Sequence, residues 1–215
     1  MNYDGLPYRI LHGITRVISS IHWNWGRKMI GGKYWVTDTE KEYIRGLLNI
    51  QPCFILIENR SFLTGYLIRL LAWLTTGKWP RYTHVLMNFD VGLGPNSDSF
   101  LLIESTNRGV HFSSFDQVFA CDNVCLTTVE LSQFEWAQVR MGLAKQIGKE
   151  YDDCFDLSDN SRVTCVEMCW DALKELPNRD QLFPSIVKQI IRYKQITPED
   201  FRDGDEIIIL YETKH

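Results

Sequence analysis

Long hydrophobic runs are missing from this chain of 215 residues. The most apolar stretch, residues 62–76, is interrupted by Arg69 and falls short of the ~18 residues that a membrane-spanning helix needs. The first 27 residues lack a cationic start followed by an unbroken apolar run and a small-residue cleavage site. No secretory signal peptide is therefore expected; synthesis in the cytosol with reduced thiols is the expectation, and the final location is not legible. Surplus positive charge is also missing. The formal net charge of −4 excludes a nucleic-acid binder working through a general basic field and leaves neutral and cationic substrates open. The chain has no C-x-x-C spacing. Its six cysteines are scattered, with Cys121/Cys125 and Cys165/Cys169 each four apart and the first pair in a strand-like stretch. This pattern fits neither a disulfide scaffold nor a zinc knuckle, so no metal and no organic cofactor are expected. Internal repeats and low-complexity segments are absent as well.

What is present is ordinary globular material: 45% hydrophobic and 23% charged residues, enough chain for one good-sized core and an appendage. With 7 Trp, 9 Tyr and 11 Phe, a well-filled core is expected. Residues 6–25 place Ile10, Ile14, Val17, Ile18, Ile21 and Trp25 at helical spacing. They read as a helix packed on the domain, with contact to a membrane surface or a partner protein as the sharper alternative. Gly31-Gly32 breaks the pattern, and Thr37-Asp38-Thr39-Glu40 opens a helix to about Leu48. Residues 1–50 are assigned to an N-terminal helical extension and residues 51–215 to the main domain.

The main domain mixes strands and helices. Pro52 to Glu58 is a continuous apolar run of strand length, Phe62 to Thr76 a helix closed by Gly77, and Tyr82 to Phe89 a strand. Alternation along that strand puts Thr83, Val85, Met87 and Phe89 on one face and Tyr82, His84, Leu86 and Asn88 on the other. Gly92 to Ser99 is rich in turn residues, and Phe100 to Ser105 is the return strand, carrying Glu104. Gly109 to Phe112 is a further short strand, Ser113 to Phe119 a helical turn, and Val124 to Leu131 a strand. Ser132 to Gly148 reads as a helix with a Ser132-x-x-Glu135 capping box. A polar loop, Lys149 to Val163, leads to the Cys165 helix; Pro184 to Tyr193 is another helix, Thr197 to Phe201 a single turn, and Glu206 to Tyr211 the last strand. The class is α+β, with sequential strands pairing antiparallel.

The chemistry concentrates at Thr164-Cys165-Val166-Glu167. Thr164 and Glu167 form a T-x-x-E capping box that puts Cys165 on the first helical residue, beside unpaired amides and the positive end of the helix dipole. A thiol there ionises more readily, and the thiolate is the reactive form. Met168, Cys169, Ala172, Leu173 and Leu176 continue an apolar stripe with Cys165, so the thiol points inward. The bland alternative is a buried cysteine acting as a small hydrophobe. Cys169 reads as core packing and Cys154 as a loop thiol without a role.

A cysteine nucleophile needs a base, and the base an orienting group. Of the five histidines, His215 is terminal, His12 and His22 lie in the extension, and His111 follows a turn and stays open as a second candidate base. His84, mid-strand on a semi-polar face, is the best placed, and Glu104 on the return strand is positioned to accept its other ring N–H. Taken singly, each has a structural explanation: a hydrogen-bonded histidine and a solvated strand glutamate.

Strand-His in Tyr82-Thr83-His84-Val85, strand-Glu in Leu102-Ile103-Glu104-Ser105 followed by Gly109-Val110, then Gly148-Lys149-Glu150-Tyr151-Asp152-x-x-Phe155, then Thr164-Cys165-Val166-Glu167-Met168, come in an order that resembles the circularly permuted papain-like amidases. These are relatives of the NlpC-type peptidoglycan amidases and of lecithin retinol acyltransferase, and include YiiX-like proteins. The resemblance covers about residues 52–211. It implies a permuted papain-like fold, an antiparallel sheet packed against helices, with Cys165 as nucleophile, His84 as base, Glu104 as orienter, the Cys165 amide as oxyanion donor, and Tyr151 lining the site or donating to the oxyanion. The expected function is a cysteine hydrolase acting on an amide of a cell-wall peptide, peptidoglycan fragment or other small peptide. A lipid amidase or acyltransferase, and a non-catalytic papain-like binding module, are the alternatives. Thr164-Cys165-Val166 departs from the family's frequent aromatic-Cys-Ser, a difference that bears on the substrate pocket.

Overall fold

The computed structural model describes residues 36–58, 63–89, 101–152, 161–193 and 195–213. The expected helix at residues 6–25, the turn at residues 92–99 and Cys154 lie outside the described residues. Six strands form one antiparallel sheet in the order β4-β3-β2-β1-β5-β8. They are β1 (Phe54–Glu58), β2 (His84–Asn88), β3 (Leu102–Thr106), β4 (Gly109–Ser113), β5 (Asn123–Thr128) and β8 (Ile208–Glu212). The helices are α1 (Asp38–Ile50), α2 (Leu63–Thr76), α3 (Phe115–Val118), α4 (Gln133–Gln146), α5 (Cys165–Ala172), α6 (Arg179–Leu182), α7 (Pro184–Tyr193) and α8 (Asp200–Asp203), and a 3₁₀ turn at Leu173–Glu175 extends α5. The architecture is α+β.

Both sheet faces are covered, which is why β1 reads as an unbroken apolar run. Phe54 and Leu56 share a core with Val85, Met87, Ile103, Trp136, Val139, Met168 and Cys169, so α4 and α5 cover one face. Ile55, Ile57, Leu86 and Leu102 share a second core with Ile44, Leu48, Phe115 and Phe119, so α1 and α3 cover the other. Residues 38–50, assigned from sequence to an extension, are therefore integral to the fold. Ile44 and Leu48 are fully buried, the Leu48 carbonyl accepts from the Asn88 amide at 3.1 Å, and Tyr211 donates to Glu40 at 2.9 Å. The expected boundary at residue 50 cuts through this layer, because the amphipathic stripe of α1 closes one face of the sheet.

Two other expectations need correcting. Tyr82 packs with Val85 and Met87, not on the Leu86 face. Regular strand geometry begins only at His84; before it, the Arg81 and Tyr82 amides both donate to Glu199, and the Thr83 amide donates to Ile57 C=O at 3.0 Å. The polar loop before α5 also contains two short strands, β6 (Glu150–Tyr151) and β7 (Arg162–Val163), paired in parallel.

Helix ends follow local chemistry. Capping boxes at Thr37/Glu40, Ser132/Glu135 and Thr164/Glu167 start α1, α4 and α5, each N-cap being worth about 1 kcal/mol. Gly142 lets α4 lie directly on α5: a Cβ there would sit 2.4 Å from the Ala172 carbonyl oxygen. Gly142→Ala is expected to push the two helices apart and lower stability by about 1–3 kcal/mol, read as a fall in the urea midpoint.

Candidate functional site

The site forms where the first turn of α5 meets β2 and β3. Thr164 is extended, its Oγ1 accepts from the Glu167 amide at 3.2 Å, and Glu167 Oε2 accepts from the Thr164 amide at 2.6 Å. The helix's own ladder opens with the Met168 amide on Thr164 C=O. The Cys165 amide thus lies outside the helix's internal hydrogen bonds, at the positive end of the dipole. Glu167 is itself buried. Burial pushes its carboxyl up to about 7, against the pull of the Thr164 hydrogen bonds and with the push of Asp152 and Asp171.

The hydrogen-bond partner of His84 is Glu104: its Nε2 lies 2.8 Å from Glu104 Oε2. Cys165 lies near enough to act on the ring's charge. Burial alone would lower the His84 pKa. The influence of Cys165, with the Glu104 hydrogen bond and charge, outweighs it and holds the imidazole well above its ordinary range. Glu104 moves the other way. Burial would raise it, but hydrogen bonds and charge from His84, a hydrogen bond from Ser113 Oγ and the charge of His111 hold it down to about 2. The arrangement favours an imidazolium at His84 backed by the Glu104 carboxylate. His84 keeps 23% of its side-chain surface exposed, whereas Cys165 is buried.

Three tethers carry this geometry. The register of β3 on β4 places Glu104 opposite His111, with Ser113 on the same side of β4. Ser105 Oγ donates to Val163 C=O at 2.7 Å, joining the residue after Glu104 to the segment that enters α5. Gly109, at φ +79°, lies against the Lys149 backbone, where a Cβ would meet the carbonyl oxygen at 2.3 Å. This contact docks β4 on β6, with the Val110 amide donating to Lys149 C=O at 2.9 Å. Tyr151, on β6, pairs with Val163 and so stands beside the entry to α5, half-buried.

The structure thus brings together Cys165, His84 and Glu104, residues far apart in the chain. Cys169 lies fully buried one turn below Cys165, as packing. Ser105, Ser113 and Arg108 were missed as site residues, and His111, weighed as a possible base, lies beside Glu104 instead. The signal for Ser113 was alternation: His111 and Ser113 are two apart on one strand, but Ser113 was assigned to the following helical turn. Among the described residues, no group of three or more His, Cys, Asp or Glu side chains is placed to hold a metal ion. Also among the described residues, no helix is long and apolar enough to cross a membrane.

The charge arrangement makes stability depend on pH in a definite direction. Because the Glu104 pKa is depressed in the folded state, its contribution is present above the ordinary carboxylate value of 4.5 and is lost as pH falls toward about 2. Glu104→Gln is expected to cost about 3 kcal/mol near neutral pH by leaving His84 without its buried partner. The gap between the two proteins should close on acidification, followed by urea melts across that range.

Comparison with known proteins adds a fold. No family model matches the chain, and no curated protein matches it. Among solved structures, metalloprotein YiiX from Escherichia coli O157:H7 superposes with a TM-score of 0.52 at 17% identity, over 77% of this chain and 98% of that one. What the two chains share is the fold: this protein has a YiiX-like α+β architecture.

Proposed function

We propose that the chain is a cysteine hydrolase of the permuted papain-like type, cleaving an amide by acyl transfer through Cys165, His84 and Glu104. The observation that carries this reading is His84 hydrogen-bonded to a buried carboxylate, with the helix-start Cys165 near enough to act on the same ring. A base set between a nucleophile and an orienting group is the arrangement nucleophilic catalysis requires.

The steps balance without a cofactor. The Cys165 thiolate attacks the carbonyl carbon, and the developing oxyanion is met by the Cys165 amide at the start of α5. Collapse of the tetrahedral adduct breaks the C–N bond as the His84 imidazolium delivers its proton to the leaving amine, giving a thioester. His84, now neutral, takes a proton from water as the oxygen attacks. Loss of the thiolate then releases the acid and restores the ion pair. Glu104 holds the ring orientation and supports its positive charge throughout. Tyr151 is assigned to the substrate wall beside the entry to α5. The substrate proposed is an amide in a cell-wall peptide or a similar small peptide, with a lipid amide or ester as the alternative acyl donor. The exposed edge of His84 argues against a sealed, purely structural packing of these groups.

The other cysteines supply an internal control. Burial pushes Cys53 and Cys125 up to about 12, raises Cys121 further and lifts Cys169 well above the ordinary thiol value. In a Cys154→Ser background, iodoacetamide at neutral pH is expected to alkylate Cys165 at least about tenfold faster than these four, one unit of thiol ionisation being a factor of ten. His84→Ala should remove the preference. Uniform labelling across the accessible thiols would count against the triad.

A further inference from the structure

Helix α4 is apolar on both sides. Its inner face, with Trp136, Val139 and Leu143, is buried in the core shared with α5. Its outer face carries Phe134, 72% exposed, and Met141, 56% exposed. Half-buried Ala137 lies between them and exposed Ala144 follows. In sequence these four alternate in steps of three and four, so they fall on the a and d positions of a heptad, Phe134 and Met141 at a, Ala137 and Ala144 at d. A single exposed apolar side chain is ordinary, but a seam with this period is the surface a second helix packs against.

We propose that the outer face of α4 is the interface of a two-fold homodimer, with the seam of one copy lying antiparallel on the seam of another. Residue sizes favour this partner. Parallel pairing sets a beside a and d beside d, so the bulky side chains would crowd one another and the alanines would leave gaps. Antiparallel pairing sets a beside d in every layer: Phe134 beside Ala144 of the other copy, Met141 beside Ala137, then the same two layers in reverse. Each layer then holds one large and one small side chain, and the same four residues serve both copies, so the contact closes on itself. Charge agrees with this direction. The approach to α4 is acidic, with exposed Glu130 ahead of it and Glu135 in its first turn, and its last turn is basic at Lys145. Lys145 reaches Glu175 of its own chain yet stays 62% exposed, and antiparallel pairing brings it to the acidic end of the other copy. Arg140 flanks the seam near its middle and there approaches its own counterpart, which limits the affinity. One helix face covers less than the ~1,600 Å² of a standard interface, so half-dimerisation is expected at about 10–100 µM. The seam lies on the side of α4 away from α5, and the inference is independent of the triad.

The test is sedimentation equilibrium of the full chain from about 5 µM to about 500 µM. The native protein is expected to pass from monomer to dimer across that range. Phe134→Glu and Met141→Glu each place a charge inside a packed layer and should weaken the dimer at least about tenfold, with thermal melts unchanged because both side chains are exposed in the monomer. Direction is read by cross-linking. Phe134→Cys and Ala144→Cys chains, each in a Cys154→Ser background, are mixed in equal amounts and oxidised. The two chains differ in mass, so mass spectrometry separates links between unlike chains from links between like ones. Antiparallel layers predict that unlike links dominate. A protein that stays monomeric at about 500 µM, or a dimer that Phe134→Glu and Met141→Glu both leave intact, would overturn the interface. Links between like Phe134→Cys chains that outnumber the unlike ones would overturn the antiparallel arrangement.

Discussion

A carboxylate buried in a protein interior keeps its charge only when hydrogen-bond donors and positive groups replace the water it has lost. Glu104 meets that condition with His84 from one neighbouring strand and Ser113 from the other. The requirement reaches far into the architecture. It demands that β2, β3 and β4 lie side by side in one register, that β4 be pinned by Gly109 against the segment leading to α5, and that α5 begin where His84 can reach it. The pairing of β2 with β3 at Met87–Ile103 and Asn88–Leu102 sets the register at the other end of the two strands. The Ser105 tether to Val163 then sets the distance from Glu104's strand to the helix.

A second polar cluster holds the strand that carries His84. Glu58, buried at the end of β1, receives Arg69 at 2.8 Å, Asn123 at 2.7 Å and Arg81 at 3.3 Å. Arg81 and Tyr82 both reach Glu212, and Glu199 takes the backbone amides of the same two residues. The lead-in to β2 is thereby tied to β1, β8 and the turn before α8, two residues from His84. Such a network contributes little net stability, because desolvation of the charges offsets their attraction, but removing one member strands the others. Its effect here is geometric: the backbone before His84 has few alternatives.

The readable parts of the sequence were those governed by local rules. Thr164-x-x-Glu167 and Ser132-x-x-Glu135 fixed the starts of α5 and α4, because an N-cap oxygen and an N3 carboxylate satisfy amides within one turn. Pro184 opened α7 for a similarly local reason. The β1 run announced a strand covered on both sides, though not by what. The assignment of residues 38–50 to an extension went astray because an amphipathic stripe shows that a helix must pack and does not name its partner. Tyr82 was misplaced because strict alternation was extended past the residue where the strand begins.

By itself, the sequence determined where a thiol would sit at the start of a capped helix, which stretches would supply the strands of the main sheet, and that a histidine and a glutamate would lie on successive ones. These follow from interactions spanning a few residues, where residue type and spacing are enough. Tertiary structure alone decided that His84 bonds Glu104 with Cys165 nearby, that Ser113 and His111 lie beside that carboxylate, and that α1 belongs to the core. Those contacts join segments up to 171 residues apart, as between Glu40 of α1 and Tyr211 of β8. The register and layer packing that create them arise from the whole chain's need to bury two faces of one sheet at once.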